Sequence, residues 1–403
     1  VTTQEALGDL ARVEGGRILA VLARTTGDLQ LAEDAVQDAV VAALEVWPRV
    51  GVPANPSAWL YVAARRKALD VLRREQRRGE KETAAVIVRD PPEPSVVRDD
   101  QLRLIFTCTH PALDLDTRVA LALRTLCGLS TAEVARALLV SEPTMAKRLV
   151  RAKRKIATAG IPYRIPDAAD LPVRLAGVAA VIHLVYTAGH AATGTSLLRA
   201  DLCDEAVRLA RLLADLVPDD PLPEALLALL LLSEARRPTR LDGHGELVPL
   251  AEQDRARWDV ALAAEGIALL DRSLTRSDGL ADPYQLQAAI AACHTEAPTY
   301  EATDWREIVR LYGMLGEVHP NPVVDINAAV AVLEADGPVA ALGLLDAVPE
   351  AARSYLWEAA RGEALGRLGD RAASVAAFGR AAASAPSDPE RRHLERRASS
   401  ATG

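Results

Sequence analysis

The apolar positions recur at helical spacing along almost the whole chain. After Asp28, placed as an N-cap, LQLAEDAVQDAVVAALEVW sets Ala32, Val36, Ala39, Ala43 and Trp47 on one stripe, three and four residues apart. The other face of that helix carries Glu33, Asp34, Gln37 and Asp38. PRVGVPANPS then breaks it, since proline removes a backbone donor and clashes with the preceding turn. From Ser57, a third helix turns Leu60, Ala64, Ala68 and Val71 inward and Arg65, Arg66, Lys67, Arg73, Arg74, Arg77 and Arg78 outward. Residues 79–98, GEKETAAVIVRDPPEPSVVR, lose the periodicity and read as a linker.

Beyond the linker, LRLIFTCTHPAL and DTRVALALRTLCG predict two helices ending at Gly128. In LSTAEVARALLVSEPTMAKRLVRAKRKI, Ser130 and Glu133 form a capping box that opens a short helix through Leu138. After a tight turn Ser141 caps a second helix, with Met145, Leu149, Ala152 and Ile156 on its inner stripe. Two helices across so short a turn make a helix-turn-helix. From about residue 165 the helical pattern resumes with a weak repeat of apolar or small residues ahead of a proline. Its copies are Ala206, Ala210, Leu213, Pro218; Ile308, Tyr312, Leu315, Pro320; and Ser374, Phe378, Ala381, Pro386. The last copy, with a Gly369-Asp370 turn, has the layout of a tetratricopeptide repeat.

Composition supports an all-α fold: 50% of residues are hydrophobic but only 3% aromatic, so the apolar content is mostly Ala and Leu, which lose little entropy in a helix. The apolar run ALLALLLL at 225–232 is too short to span a bilayer and reads as a buried helix, and no signal-peptide pattern is expected. Cys108, Cys127, Cys203 and Cys293 form no C-x-x-C pair, which argues against a disulfide framework or zinc knuckle and for a reducing cytoplasm.

Charge is what changes the picture. The chain is −8 overall, yet residues 1–164 are net +5 and the remainder net −13. The front half therefore suits a polyanion and the back half another task. SEPTMAKRLVRAKRKI, at 141–156, holds six Lys or Arg against one Glu. In a helix-turn-helix the second helix enters the major groove. Thr144, Lys147, Arg148 and Arg151 lie opposite its apolar stripe, and Lys153, Arg154 and Lys155 can meet phosphates. The alternative is an ordinary solvated basic helix. The earlier arginine-rich helix begins with Trp59 and Tyr61; aromatics beside arginines suit single-stranded DNA, unless both rings pack in the core. Glu33, Asp34, Gln37 and Asp38 form an acidic and amide face that suits a basic protein partner or plain solvent.

These stretches resemble, in order and spacing, the extracytoplasmic-function group of bacterial RNA polymerase sigma factors. AEDAVQDAVVAALEVW is similar to the region 2 helix that docks on the polymerase clamp. WLYVAARRKALDVLRR is similar to the helix that recognises and melts the minus-10 element, and LSTAEVARALLVSEPTMAKRLVRAKRKI to region 4, the minus-35 reader. HPAL, GIPYRIPDAADLPVRL, LLRADLCDEAVRLARLL, DGHGELVPLAEQDRARWD and DPYQLQAAIAACH resemble the subgroup with a large tetratricopeptide-like C-terminal extension. The resemblance implies region 2 at 1–80, a linker at 81–98, region 4 at 99–160 and an acidic helical-repeat domain at 165–403. It implies that Asp34, Gln37 and Asp38 contact core polymerase, and that Trp59, Arg65, Arg66, Lys67, Arg73 and Arg74 meet the melted minus-10 strand. Thr144, Lys147, Arg148, Arg151, Lys153, Arg154 and Lys155 then meet minus-35 DNA. Arg66 stands where the family often has Asn, and Leu139 where a Gly is usual in the turn.

No P-loop, G-x-G-x-x-G or H-E-x-x-H motif is present, so no enzyme, cofactor or metal is expected. Cys108 with His110, and Cys293 with His294, lack a second pair at zinc spacing, and the DGHGELVPLAEQD loop reads as a corner anchored by Trp258. The rival reading is a helix-turn-helix transcriptional regulator whose repeat domain binds a protein partner; a third is a helical scaffold with an incidental basic front. A second arginine-rich helix beside an acidic amide face favours the sigma factor, because that factor must hold both melted DNA and the polymerase.

Overall fold

The computed structural model describes residues 3–76, 94–138, 140–277, 279 and 281–400. Among these no strand forms, and β-type pairing is limited to the isolated bridges Gly194–Ser387 and Leu241–Leu247. The all-α expectation holds. The chain divides into two compact units, Val1–Val185 and Tyr186–Gly403.

In the first unit, α1 (Thr3–Thr26), α2 (Leu29–Val50) and α3 (Pro56–Gln76) pack on one another. Asp28 caps α2 by accepting from the backbone N–H groups of Gln30 and Leu31 at 2.8 and 3.1 Å. Ala32, Ala39, Ala43 and Trp47 are buried as the stripe predicts. Asn55 does the same for α3, taking the N–H of Ala58 at 3.0 Å. Leu60, Ala64 and Ala68 of α3 are buried, but Val71 is 37% exposed. The linker read at 81–98 lies largely outside the described residues, and positions 94–98 are already the first turn of α4 (Pro94–Cys108).

The rest of the unit is α5 (Leu115–Leu121), a π-helical turn (Ala122–Leu126), α6 (Thr131–Ala137), α7 (Glu142–Thr158) and the first part of α8 (Leu171–His190). The C-terminal domain read from residue 165 thus starts before the division between units, which falls within α8. Among the described residues α8 is also the one helix of at least 18 residues apolar enough to cross a membrane, a feature the search for long apolar runs missed. Leu175, Val178, Ala179, Val181, Ile182 and Val185 are buried in the fold and Arg174 donates to the Phe106 carbonyl, whereas Val173 and Leu184 are exposed.

The second unit stacks α9 (Ala200–Leu216), α10 (Pro221–Ala235), α11 (Val260–Arg276), α12 (Pro283–Glu296), α13 (Trp305–Val318) and α14 (Pro322–Ala335). They are followed by α15 (Pro338–Ala347), α16 (Tyr355–Leu368), α17 (Arg371–Ala383) and α18 (Asp388–Ser400). Each of these packs on its chain neighbours, and the core is built as successive clusters between them. The repeat copies fall on α9, α13 and α17, and Ala206, Ala210, Leu213, Ile308, Leu315, Ser374, Phe378 and Ala381 are buried. The run at 225–232 lies wholly inside. Gly369 ends α16 at φ +87°, where a side chain would be strained, and Asp370 caps α17 by accepting from Ala373 N at 3.1 Å. The corner at Trp258 is real: its Nε1 donates to Thr239 Oγ1 at 2.8 Å, and Arg255 lies over the ring at 4.7 Å.

Candidate nucleic-acid and polymerase interface

The helix-turn-helix is built by its caps. Ser130 N donates to Glu133 Oε2 at 2.7 Å, and Glu133 N donates to Ser130 Oγ at 3.2 Å, which fixes the start of α6. Ser141 is the N-cap residue of α7, but its hydroxyl pairs with Thr144 Oγ1 at 2.8 Å and makes no cap bond to the backbone. Leu139, in the turn between them, lies outside the described residues. Met145, Leu149, Ala152 and Ile156 are all buried, so the helix has one fixed face and one free to meet a partner.

That other face is not uniformly available. Thr144, Lys147, Arg151 and Arg154 are exposed. Arg148 is half-buried and 3.7 Å from Asp116. Lys155 donates to the Ala112 carbonyl. Lys153, read as a phosphate contact, has a side chain only 10% exposed and is bound to Glu33 of α2 and to Gln30 at 3.0 Å. Beneath the helix, Asp114 caps α5; its hydrogen bond from the Thr117 hydroxyl, at 2.8 Å, holds the carboxyl below its ordinary value.

On α3, Arg66, Lys67, Arg73 and Arg74 are exposed and Arg65 is half-buried. Lys67 reaches Asp38 at 3.6 Å, and Arg73 reaches Asp70 at 3.9 Å. Trp59 meets Trp47 edge to face, with ring centroids 5.5 Å apart, yet stays half-buried, as does Tyr61. One side of Trp59 is thus committed to the core and the remainder is open for stacking. On α2, Asp34, Gln37 and Asp38 are exposed together; Gln30 Nε2 donates to Asp34 at 2.7 Å and Gln37 Nε2 to Glu33 at 3.3 Å.

Glu33 departs from the reading of that face. It is 7% exposed and receives Arg124 Nε at 2.6 Å as well as Lys153. The clue in the sequence was Leu29, four residues earlier and also buried, which puts Glu33 on the flank of the inner stripe. Asp100 is a second residue that sequence reasoning missed: its side chain is fully buried and paired with Arg24 and Arg103, both at 2.7 Å.

Cys108 is buried, its thiol 3.2 Å from Thr125 Oγ1, and burial pushes it up to about 12. Among the described residues no cluster of three His, Cys, Asp or Glu is arranged to hold a metal.

Comparison with known proteins gives this geometry a lineage. Residues 10–78 match sigma-70 region 2, residues 103–156 match sigma-70 region 4, and residues 174–274 match a family of unknown function, DUF6596. An uncharacterized protein of Rhizobium meliloti (strain 1021), R00370, is 42% identical over 408 residues, covering 96% of this chain and 94% of its own length. No solved structure matches. With both sigma-70 regions in order, and a relative that shares nearly the full length, the chain belongs to the sigma-70 family of sigma factors, non-catalytic initiation factors that bind core RNA polymerase and recognise promoter DNA.

Proposed function

We propose that this sigma factor is of the extracytoplasmic-function group, acts in the cytoplasm, and favours the open promoter complex through region 2. Asp34, Gln37 and Asp38 engage core polymerase. Trp59, Arg65, Arg66, Lys67, Arg73 and Arg74 hold the melted minus-10 strand by stacking and phosphate neutralisation. Thr144, Lys147, Arg148, Arg151 and Arg154 meet the minus-35 duplex, joined by Lys153 and Lys155 once their internal partners are released. The observation that carries the reading is the pairing of two cationic helices, α3 and α7, with an exposed acid and amide face on α2.

The C-terminal helices, from about residue 165, act as a tetratricopeptide-like domain that binds a protein partner and adjusts the activity of the front half. Sequential helix packing supports this, as does the capped Gly369-Asp370 turn. The test of melting is permanganate reactivity of minus-10 thymines in complexes of core polymerase with the full-length protein. Reactive thymines are expected with the natural chain and far fewer with Trp59→Ala. Equal reactivity in both removes Trp59 from the melted strand.

A further inference from the structure

The corner around Trp258 gathers positive charge inside an acidic domain. Residues 165–403 are net −13, and arginines of the second unit commonly lie on carboxylates, as Arg272 does on Glu224 at 3.1 Å and Arg392 on Glu246 at 2.6 Å. Arg237 follows that habit, with Asp204 and Glu234 at 2.6 and 2.9 Å. Its neighbours Arg236, Arg240 and Arg255 do not. Among the described residues, no carboxylate lies within ion-pair distance of any of the three.

The groups they do meet are neutral. Arg240 donates to the His190 carbonyl at 2.6 Å. Arg255 donates to the His294 carbonyl, to the Ala297 carbonyl at 2.7 Å and to Thr303 Oγ1 at 3.3 Å. Arg236, the C-cap residue of α10, has a buried Nε with no hydrogen-bond partner in the protein. Its guanidinium stands 6.0 Å from the centre of the Trp258 ring, on which Arg255 lies at 4.7 Å. His294, in the last turn of α12, adds a second buried nitrogen without a partner, its Nδ1. Both guanidiniums act on that imidazole: burial first, and then Arg236 and Arg255, hold it down to about 3.

A buried cation is tolerated where opposite charge meets it, and the end of α10 offers Arg236 only about half an elementary charge. Burial and then Arg240 bring Arg236 itself down to about 10, so its surroundings press against the charge it carries. A guanidinium fork matches the paired oxygens of a carboxylate or a phosphate, and an imidazole N–H supplies a further donor. Arg236, Arg255 and His294 are each half-buried, so none of the three is sealed from solvent. We propose that Arg236, with Arg255 and His294, forms a binding site for a small oxyanion, the phosphate or carboxylate group of a soluble ligand, at the corner between α10 and α12. The site lies within the second unit and stands independently of the sigma reading. An anion seated there joins α10, the turn at Arg255–Arg257 and α12 through one ligand.

The test is calorimetric titration of the full-length protein with inorganic phosphate and, separately, with acetate, in a zwitterionic buffer whose ionic strength is held constant with sodium chloride. Saturable binding is expected, and the anion that saturates at the lower concentration tells a phosphate ligand from a carboxylate one. Arg236→Met should weaken that binding about tenfold or more, because a bond to a charged group is lost. Arg257→Met, at an exposed arginine of the same turn, should leave it within about twofold. A second reading uses the natural sequence: with carbon-13-labelled histidine, the ring signals of His294, assigned through His294→Gln, should move as the anion is added, while those of the exposed His319 stay in place. That reading decides the site even where Arg236→Met fails to fold. Titrations that never saturate with either anion overturn the proposal. So do binding that Arg236→Met leaves unchanged and His294 signals that stay fixed while heat is released.

Discussion

Replacing Lys147, Arg151 and Arg154 together by Gln tests the duplex-reading surface with a number attached. These three cations are exposed on α7, Arg151 donating only to the Lys147 carbonyl of its own helix at 3.3 Å among the described residues, whereas Arg148, Lys153 and Lys155 are paired with residues outside α7. Each phosphate neutralised contributes about 0.9 to the slope of log affinity against log salt, so losing all three should flatten that slope by ~2.7. The natural protein should then lose about 40-fold more affinity than the triple variant when salt rises from roughly 50 to 200 mM. Exposed positions tolerate such changes within about 0.5 kcal/mol of stability, so folding should be intact. The assay is fluorescence anisotropy of a labelled promoter duplex with polymerase assembled on the full-length protein, across a salt series. A slope equal to that of the natural protein would refute the assignment. Lys153→Gln should flatten the slope by a further ~0.9 only if Lys153 is released in the complex.

Asp34→Arg with Asp38→Arg should abolish core polymerase binding in a pull-down, since both carboxylates are exposed on α2; unchanged binding removes them from the docking face. His294 is held down to about 3, first by burial and then by Arg236 and Arg255, so the unfolded chain binds a proton that the folded one refuses between about 6.5 and 3. Stability should therefore fall as pH drops through that window, by about 1.4 kcal/mol per pH unit from this group, and His294→Gln should flatten the fall in urea unfolding by that amount. Gly369→Ala should cost about 1 kcal/mol, because the residue sits at φ +87°, and a melting temperature equal to the parent would show that the turn relaxes freely.

What was legible in the sequence is what local chemistry decides. The cap at Asp28, the box at Ser130 and Glu133, and the stripe from Met145 to Ile156 follow from spacing and appear as expected. The buried run at 225–232 was equally plain, because no polar residue interrupts it. What escaped depends on pairing between distant segments. Nothing near Glu33 announces Arg124 or Lys153, and nothing near Asp100 announces Arg24, so a carboxylate on a polar-looking face was read as solvated. Nor does anything near Lys153 announce the carboxylate it meets. The apolar helix α8 was overlooked because Arg174, His183 and its small residues break up any continuous run, although the whole 20-residue segment is strongly apolar. Periodicity reports which face of a helix is buried; it is silent on which distant charge will cover the flank.

The central claim is that this chain gives core polymerase its promoter choice. Its most direct measurement is in vitro transcription with purified bacterial core polymerase, genomic promoter fragments and the full-length protein. Transcripts from defined start sites that appear only when the protein is added are the result this account predicts. A protein that binds the same fragments but never programmes the polymerase to start would contradict it.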